Sequence, residues 1–474
     1  MKVCLLNDSF PPVIDGVANA VVNYADNLHT FKDTEVFVGT PGYPGTDYSS
    51  YPYPVVAFPS LDTTSFTGGY RAEYPFAVKE ISELVQLSPD IIHVHCPISS
   101  CYIARSLRDA TGAPIVLTYH TKYDIDIRRT VPTSLLQDES IKALVANISA
   151  CDEVWTVSHG AGENLKSLGY EGTFKVMPNG VDFEKGRVSE KEIEKTVKDY
   201  DLPEDVPVFL FVGRLMNYKG LPLLLDALHM LSETDDFRMV IIGQGTDKES
   251  LKKTAVSYGF AIDEKNEDGT VSSIPGTKKG RIIFTGPVSD RNVLRAWNCR
   301  ADLFVFPSTF DTNGLVVREA AACGLASLLV EASCAAEGIA DGHNGYLAKE
   351  NAESFAAFMQ WACSHTDELH QTGMHAMDEI YLSWHDAVAM ARKGYEDILE
   401  RKKKGLLPSK SSLEKQPLYT MTADAALRYN RILELQHPHT EGMLENYIQQ
   451  FHDQLKSGQE KITELGEQLR QRLK

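Results

Sequence analysis

Two successive series of short apolar runs, each alternating with amphipathic stretches, constrain this chain more than any other feature. The first series comprises residues 3–6, 36–38, 91–95, 115–118, 154–157 and 175–177. Between them lie stretches with helical spacing, such as Val17, Val21, Tyr24, Ala25 and Leu28, and residues 76–87. Runs of three to five residues with little polar alternation suit strands buried on both faces, and so a parallel sheet covered by helices. The pattern pauses at Pro178-Asn179-Gly180-Val181-Asp182, crosses a charged segment, and resumes at 208–212, 239–242, 282–284, 303–306 and 327–330. The expected class is α/β, with two doubly wound Rossmann-like domains at 1–183 and 206–383 and a hinge at 184–205. A crossover helix is expected at 384–403 and a helical tail at 404–474.

The length of 474 residues accommodates two domains of roughly 150–200 residues with a remainder. Residues 263–279 form a polar insertion, read as either a surface hairpin or a mobile loop. In the tail, Ile448, Phe451, Leu455, Ile462, Leu465 and Leu469 fall at steps of three, four and seven. A coiled-coil seam joining copies of the chain and an amphipathic helix packing back on the body explain that spacing equally well.

Lys and Arg total 47 against 65 Asp and Glu, a formal charge of -18 that disfavours nucleic acid as a partner. No apolar run reaches the length of a membrane span, and the polar start at Asn7-Asp8 does not suit a signal peptide. The eight cysteines contain no C-x-x-C pair and read as buried thiols of a reducing compartment. The expected location is cytoplasmic.

In doubly wound folds, ligands sit at the carboxyl ends of the strands, so the residues after each run matter most. After 208–212 come Gly213, Arg214 and Lys219; the two cations suit a diphosphate whose charge grows as its bond to a sugar breaks. An R-x4-K pair on its own is more commonly two solvated cations. After 303–306 come Asp311, Thr312, Asn313, Gly314 and Leu315. The last four suit a helix start that presents backbone N–H groups to an anion. Glu319, two helical turns inside, can accept ribose hydroxyls. Alone, Asp311 reads as a helix cap and Glu319 as an ion-pair partner; their joint placement favours a site.

Gly213-Arg214 with Lys219-Gly220, then an acid-x7-Glu at 311–319 followed by Ala-Cys-Gly-Leu, resembles the retaining glycosyltransferases of family 4. These have the GT-B fold, two Rossmann-like domains facing across a cleft. The start "NDSFPPVIDGVA", the hinge "MPNGVD" and the turn "DGHNGYL" fall in the same order as in that family. The resemblance implies transfer of a hexose from a nucleotide diphosphate sugar, a UDP-sugar and UDP-glucose above all, bound by the C-terminal domain, to an acceptor held by the N-terminal domain, with no bound metal or other cofactor. It assigns the diphosphate to Arg214 and Lys219, the ribose to Glu319 and the donor sugar to Asp311. Gly314 and Leu315 would contact phosphate and sugar through the backbone, with Asn313 in the same loop, and Gly16 would let the first loop approach the phosphate. His120 in "TYHTKY" matches the histidine set near the reacting carbon, and loops of this kind resemble those of bacterial diacylglycerol glucosyltransferases. A lipid acceptor at the inner membrane face is therefore expected. Arg128 and Arg129, beside Ile125, Ile127 and Val131, suit a small basic and apolar patch for it and an ordinary surface loop equally well. Most family members have Glu where this chain has Asp311, and proline is common where Ala326 stands.

Asp124-Ile125-Asp126 is read as a chance D-x-D, and His93 and His95, on one face of a strand, as packing residues rather than metal ligands. Two rival readings stand beside the transferase: a non-catalytic partner subunit of a glycosyltransferase complex, and a nucleotide-sugar epimerase.

Overall fold

The computed structural model describes residues 1–13, 15–62, 71–131, 133–266, 268–407 and 417–434. In chain order the first half carries β1 (Lys2–Leu6), β2 (Glu35–Pro41), β3 (Val55–Phe58), β4 (Ser60–Asp62), β5 (Arg71–Glu73), β6 (Ile91–Val94), β7 (Ile115–Tyr119), β8 (Glu153–Thr156) and β9 (Lys175–Val176). One sheet has the order β3-β2-β1-β6-β7-β8-β9, and β4 pairs with β5 apart from it. The pairs of β1 with β2 and with β6 are parallel. Helix Gly16–Thr30 follows β1, opened by Asp15, whose carboxylate accepts from the Val17 and Ala18 N–H groups at 2.7 and 2.9 Å. Its buried residues include Val21, Tyr24, Ala25 and Leu28 of the spaced stripe, while Ala18 is buried and Val17, expected in the stripe, is only half-buried.

The second half carries β10 (Val208–Val212), β11 (Arg238–Ile242), β12 (Ala261–Lys265), β13 (Val271–Ile274), β14 (Arg281–Gly286), β15 (Leu303–Phe306), β16 (Ser327–Val330) and β17 (Tyr346–Ala348). Their order is β13-β12-β14-β11-β10-β15-β16-β17. The pairing is parallel except at β12 and β13, an antiparallel hairpin in register from Ile262↔Ile274 to Lys265↔Val271. Of the two readings of 263–279, the structure therefore shows the hairpin. The chain builds from β10 outward through β11, then returns to build from β15 in the opposite direction, so the switch point lies between β10 and β15. Phe211 of β10 stacks on Phe306 of β15 there, with ring centroids 5.8 Å apart, and both are buried.

The expected hinge segment holds a helix, Glu190–Val197, opened by a reciprocal capping box between Ser189 and Glu192. Just before it Val181 bridges to Ser383, and helix Trp384–Lys403 follows. Helix Pro417–Glu434 packs against helices Val78–Gln86 and Ser99–Thr111. Tyr419 lies under the Arg105 guanidinium at 3.9 Å, and the Asn430 side chain hydrogen-bonds to Ser82. The spaced apolar residues 448–469 lie outside the described residues.

The chain divides into two compact units that interleave along the sequence. One comprises Met1–Thr118, Asp138–Val154 and the described residues from Tyr395 onward; the other comprises Tyr119–Gln137 and Trp155–Gly394. Among the described residues, no helix is long and apolar enough to cross a membrane.

Candidate active site

The loop after β10 is fixed by backbone bonds to its neighbour. Gly213 N–H donates to the Ile242 carbonyl and Leu215 N–H to the Gln244 carbonyl, at 3.0 and 2.9 Å. This approach requires glycine at 243, where φ is +145° and a Cβ would overlap the Gly213 carbonyl oxygen. The Asp247 carboxylate accepts from Asn217 N–H at 2.7 Å, closing the turn that presents Lys219. Arg214 is exposed at the strand end, its guanidinium 5.8 Å from the Tyr218 ring centre, and it makes no ion pair among the described residues. Lys219 is the opposite case: its side chain is 8% exposed and lies among Tyr218, Phe306 and Phe310.

The loop after β15 supplies the partner of that buried ammonium. Lys219 Nζ donates to Asp311 Oδ1 at 2.5 Å, and Ser308 Oγ donates to Asp311 Oδ2 at 2.6 Å. Asp311 is thus the counter-ion of Lys219 rather than a helix cap. The cap of helix Leu315–Ala322 is Gly314, at φ +59°, where a Cβ would sit 2.9 Å from that of Ala335. Asn313 Nδ2 donates to the Val157 carbonyl at 2.5 Å, and Thr312 Oγ1 to the His120 carbonyl at 2.6 Å. Those two bonds bring the ends of β7 and β8 to the start of the helix that carries Glu319.

His120 is buried, and burial pulls its imidazole down to about 3, so the ring is neutral at ordinary pH. Its Nδ1 lies 3.5 Å from Asn179 Nδ2. The amide oxygens of Asn179 and Asn313 are buried and accept no hydrogen bond among the described residues. A ligand hydroxyl would satisfy such acceptors.

Glu319 is met by a cation that the sequence reading did not single out. Arg291 Nη2 lies 2.5 Å from Glu319 Oε1, also pairs with Asp182, and places its guanidinium 4.4 Å from the Phe183 ring centre. Burial raises the Glu319 carboxyl above its usual range, and Arg291 pulls it back. Arg291 opens helix Arg291–Arg300, 28 residues before Glu319, so no local pattern links the two. The structure therefore gathers Lys219 with Asp311, Glu319 with Arg291, and His120 with the 312–315 loop. Gly16, the first residue of its helix, belongs to the other compact unit.

The remaining sequence signals resolve into packing. His93 hydrogen-bonds through its two ring nitrogens to Tyr395 Oη and Thr118 Oγ1, at 2.6 and 2.7 Å, and His95 lies edge-on to Tyr24. Asp124 accepts from Asn164 Nδ2 at 3.3 Å. The Glu337 carboxylate accepts from the N–H groups of His159 and Gly160, complementing the start of helix His159–Ser167. Among the described residues, no group of three or more His, Cys, Asp or Glu side chains could hold a metal ion.

A family model described as Glycosyltransferase Family 4 matches residues 14–185, and one described as Glycosyl transferases group 1 matches residues 206–365. The chain belongs to the family 4 glycosyltransferases. This glycosyltransferase is 23% identical over 365 residues to the alpha-monoglucosyldiacylglycerol synthase of Acholeplasma laidlawii, covering 74% of this chain and 86% of that protein. It is 26% identical over 325 residues to a GDP-mannose-dependent alpha-(1-6)-phosphatidylinositol dimannoside mannosyltransferase of Mycobacterium tuberculosis, covering 68% of this chain and 77% of that protein. Among solved structures, HepE of Anabaena in complex with UDP superposes with a TM-score of 0.63 at 17% identity, covering 84% of this chain and all of that one. The fold is GT-B.

Proposed function

We propose that the protein transfers a hexose from a UDP-sugar, UDP-glucose above all, to a hydroxyl of a lipid acceptor. We place the reaction at the cytoplasmic membrane face, with retention of anomeric configuration and without a metal. The observation that carries this reading is the pair of buried Lys219 with half-buried Asp311, together with Arg214, which makes no ion pair among the described residues, at the switch point of the second sheet. On donor binding the diphosphate would take Lys219 and Arg214, leaving Asp311 to accept a sugar hydroxyl. The hydroxyl oxygen of the acceptor bonds to the anomeric carbon, and the bond from that carbon to the β-phosphate oxygen breaks. Its electron pair leaves on the diphosphate, which also takes the hydroxyl proton. The Lys219 ammonium and the Arg214 guanidinium lower the barrier because the charge on that oxygen grows towards the transition state. His120, held neutral, can donate or accept a hydrogen bond at the sugar without adding charge. Glu319, aimed by Arg291, accepts ribose hydroxyls, and Gly314 and Leu315 let backbone reach the phosphate.

The lipid acceptor is supported by the names of the Acholeplasma and Mycobacterium relatives, which also name two different lipids. UDP is preferred over GDP because the former relative is a glucosyl enzyme by name and HepE carries UDP. The test is nucleotide release from UDP-glucose and from GDP-mannose, with diacylglycerol vesicles and with chelator. Faster release from GDP-mannose would reverse the donor assignment, and arrest by chelator would end metal independence. No turnover of either donor would favour the partner-subunit reading, and a new nucleotide sugar formed without acceptor would favour the epimerase.

A further inference from the structure

Next to the residues above lies a cavity of about 400 Å³ that none of them lines. That volume falls within the roughly 300–1,000 Å³ of small-molecule sites. Its polar wall is built from Lys122, Thr309, Glu331, Ser333, Lys349 and Glu350. Lys122 comes two residues after His120 and Thr309 two before Asp311, while the other four follow β16 and β17. The cavity thus flanks the expected position of the donor sugar, at the carboxyl ends of the neighbouring strands.

The lining is built for a ligand. Ser333 is 8% exposed, yet its hydroxyl has no hydrogen-bond partner among the described residues. Such a group in a native structure calls for an explanation, and a ligand hydroxyl supplies one. Ala332, a residue with a Cβ, is held at φ +60°, a conformation that persists only where its surroundings impose it. Lys122 Nζ donates to the Thr309 carbonyl at 3.3 Å, and Thr309 Oγ1 to Glu350 Oε1 at 3.4 Å. No ion pair engages Lys122, Lys349, Glu331 or Glu350 among the described residues.

Two ammoniums, two carboxylates and two hydroxyls face this space, with no net charge. A phosphate would meet two carboxylates along with the lysines, and an acyl chain would find mostly polar wall. A neutral polyol uses every group, giving hydrogen bonds to the carboxylates and taking them from the ammoniums. We infer that this cavity holds a sugar unit of the acceptor, so that the acceptor is already glycosylated when it is used. This rests on the transferase reading and names its acceptor class. The bonds made and broken are those given above, with the attacking hydroxyl carried by the acceptor's own sugar. An earlier glycosyl transfer onto the same acceptor must supply it.

The test offers the full-length protein UDP-glucose and GDP-mannose with three acceptors: monoglucosyldiacylglycerol in phosphatidylcholine vesicles, diacylglycerol in the same vesicles, and maltose in solution. A sugar-bearing acceptor should be used about tenfold faster than diacylglycerol. Lys349→Ala and Ser333→Val should each raise its KM about tenfold, the scale of one hydrogen bond to a charged group, while kcat and acceptor-free donor hydrolysis stay as in the parent. Because Lys349 is exposed, that variant tests the cavity without disturbing the core. Use of the glycolipid alone supports a lipid-borne sugar, and use of maltose as well supports a free one. Diacylglycerol used as fast, or variants indifferent to the sugar acceptor, would overturn the inference. Absence of donor turnover in every arm would instead count against the transferase reading.

Discussion

The two sheets reverse strand order at equivalent places, between β1 and β6 and between β10 and β15, yet the loops that leave β1 and β10 carry opposite charge. After β1 stands Asp8, whose carboxylate accepts from the Ser99 and Ser100 N–H groups, at 2.9 and 2.8 Å, where helix Ser99–Thr111 begins. Glu73 is buried beside it, and burial together with the Asp8 charge raises its carboxyl well above the usual range. The helix start, a natural phosphate site, is filled by the protein's own carboxylate. After β10 stand Arg214 and Lys219. One topology thus offers two crevices, and the side chains at the strand ends decide which of them suits a diphosphate.

The largest expected effect falls on the cationic crevice. Lys219→Ala should lower turnover by roughly 10²–10³-fold, the scale of removing one preorganised charge stabiliser, with folding checked by circular dichroism. Turnover near the parent's would mean that the contrast in charge has no catalytic content. Arg291→Ala should raise the donor KM by about ten- to a hundredfold, since a carboxylate that binds ribose loses the cation aiming it. The same variant has a pH signature. A buried carboxyl with a raised folded value contributes stability that is lost as pH rises through that value. Removing Arg291 raises Glu319 further, so the deficit in Tm against the parent should be larger at about pH 7.5 than at about pH 5.

His120 sharpens the comparison from the other direction. Its value is lowered from 6.5 to about 3, so its contribution is intact above 6.5 and lost as pH falls towards 3. The loss amounts to about 1.4 kcal/mol per pH unit. His120→Asn should flatten the acid limb of the stability profile, measured by denaturant unfolding between about pH 6.5 and 4. The smallest effect belongs to the acidic crevice: Asp8→Ala should cost about 0.5–2 kcal/mol of stability, the value of a helix cap, and leave the donor KM unchanged. A shift in donor KM there would show that the acidic crevice also meets the nucleotide sugar.

The strands were legible because parallel, doubly covered strands need continuous apolar runs, and 208–212 or 303–306 admit few other readings. The two strand-end loops were legible for the same reason: once the strands are placed, so are Arg214, Lys219 and Asp311. The pairing of Lys219 with Asp311 was not, because it joins residues 92 apart and depends on β10 lying beside β15. Arg291 stayed hidden because an arginine at the start of a helix has no distinguishing local pattern. The helix at Glu190–Val197 was readable from Ser189 and Glu192, but lay in a segment taken as a hinge. Nor does local spacing reveal that Tyr119–Gln137 packs with the second half of the chain, since a unit assembled from separate segments leaves no mark on neighbouring residues.

The different exposure of the two cations bears on how the protein would respond to ionic strength. Arg214 stands in solvent, where mobile ions screen its attraction within roughly 8–10 Å. Lys219, enclosed by aromatic rings, keeps its field in brine as in dilute buffer. Added salt should therefore weaken the part of nucleotide capture that Arg214 supplies more than the part of the bond-breaking step that Lys219 supports.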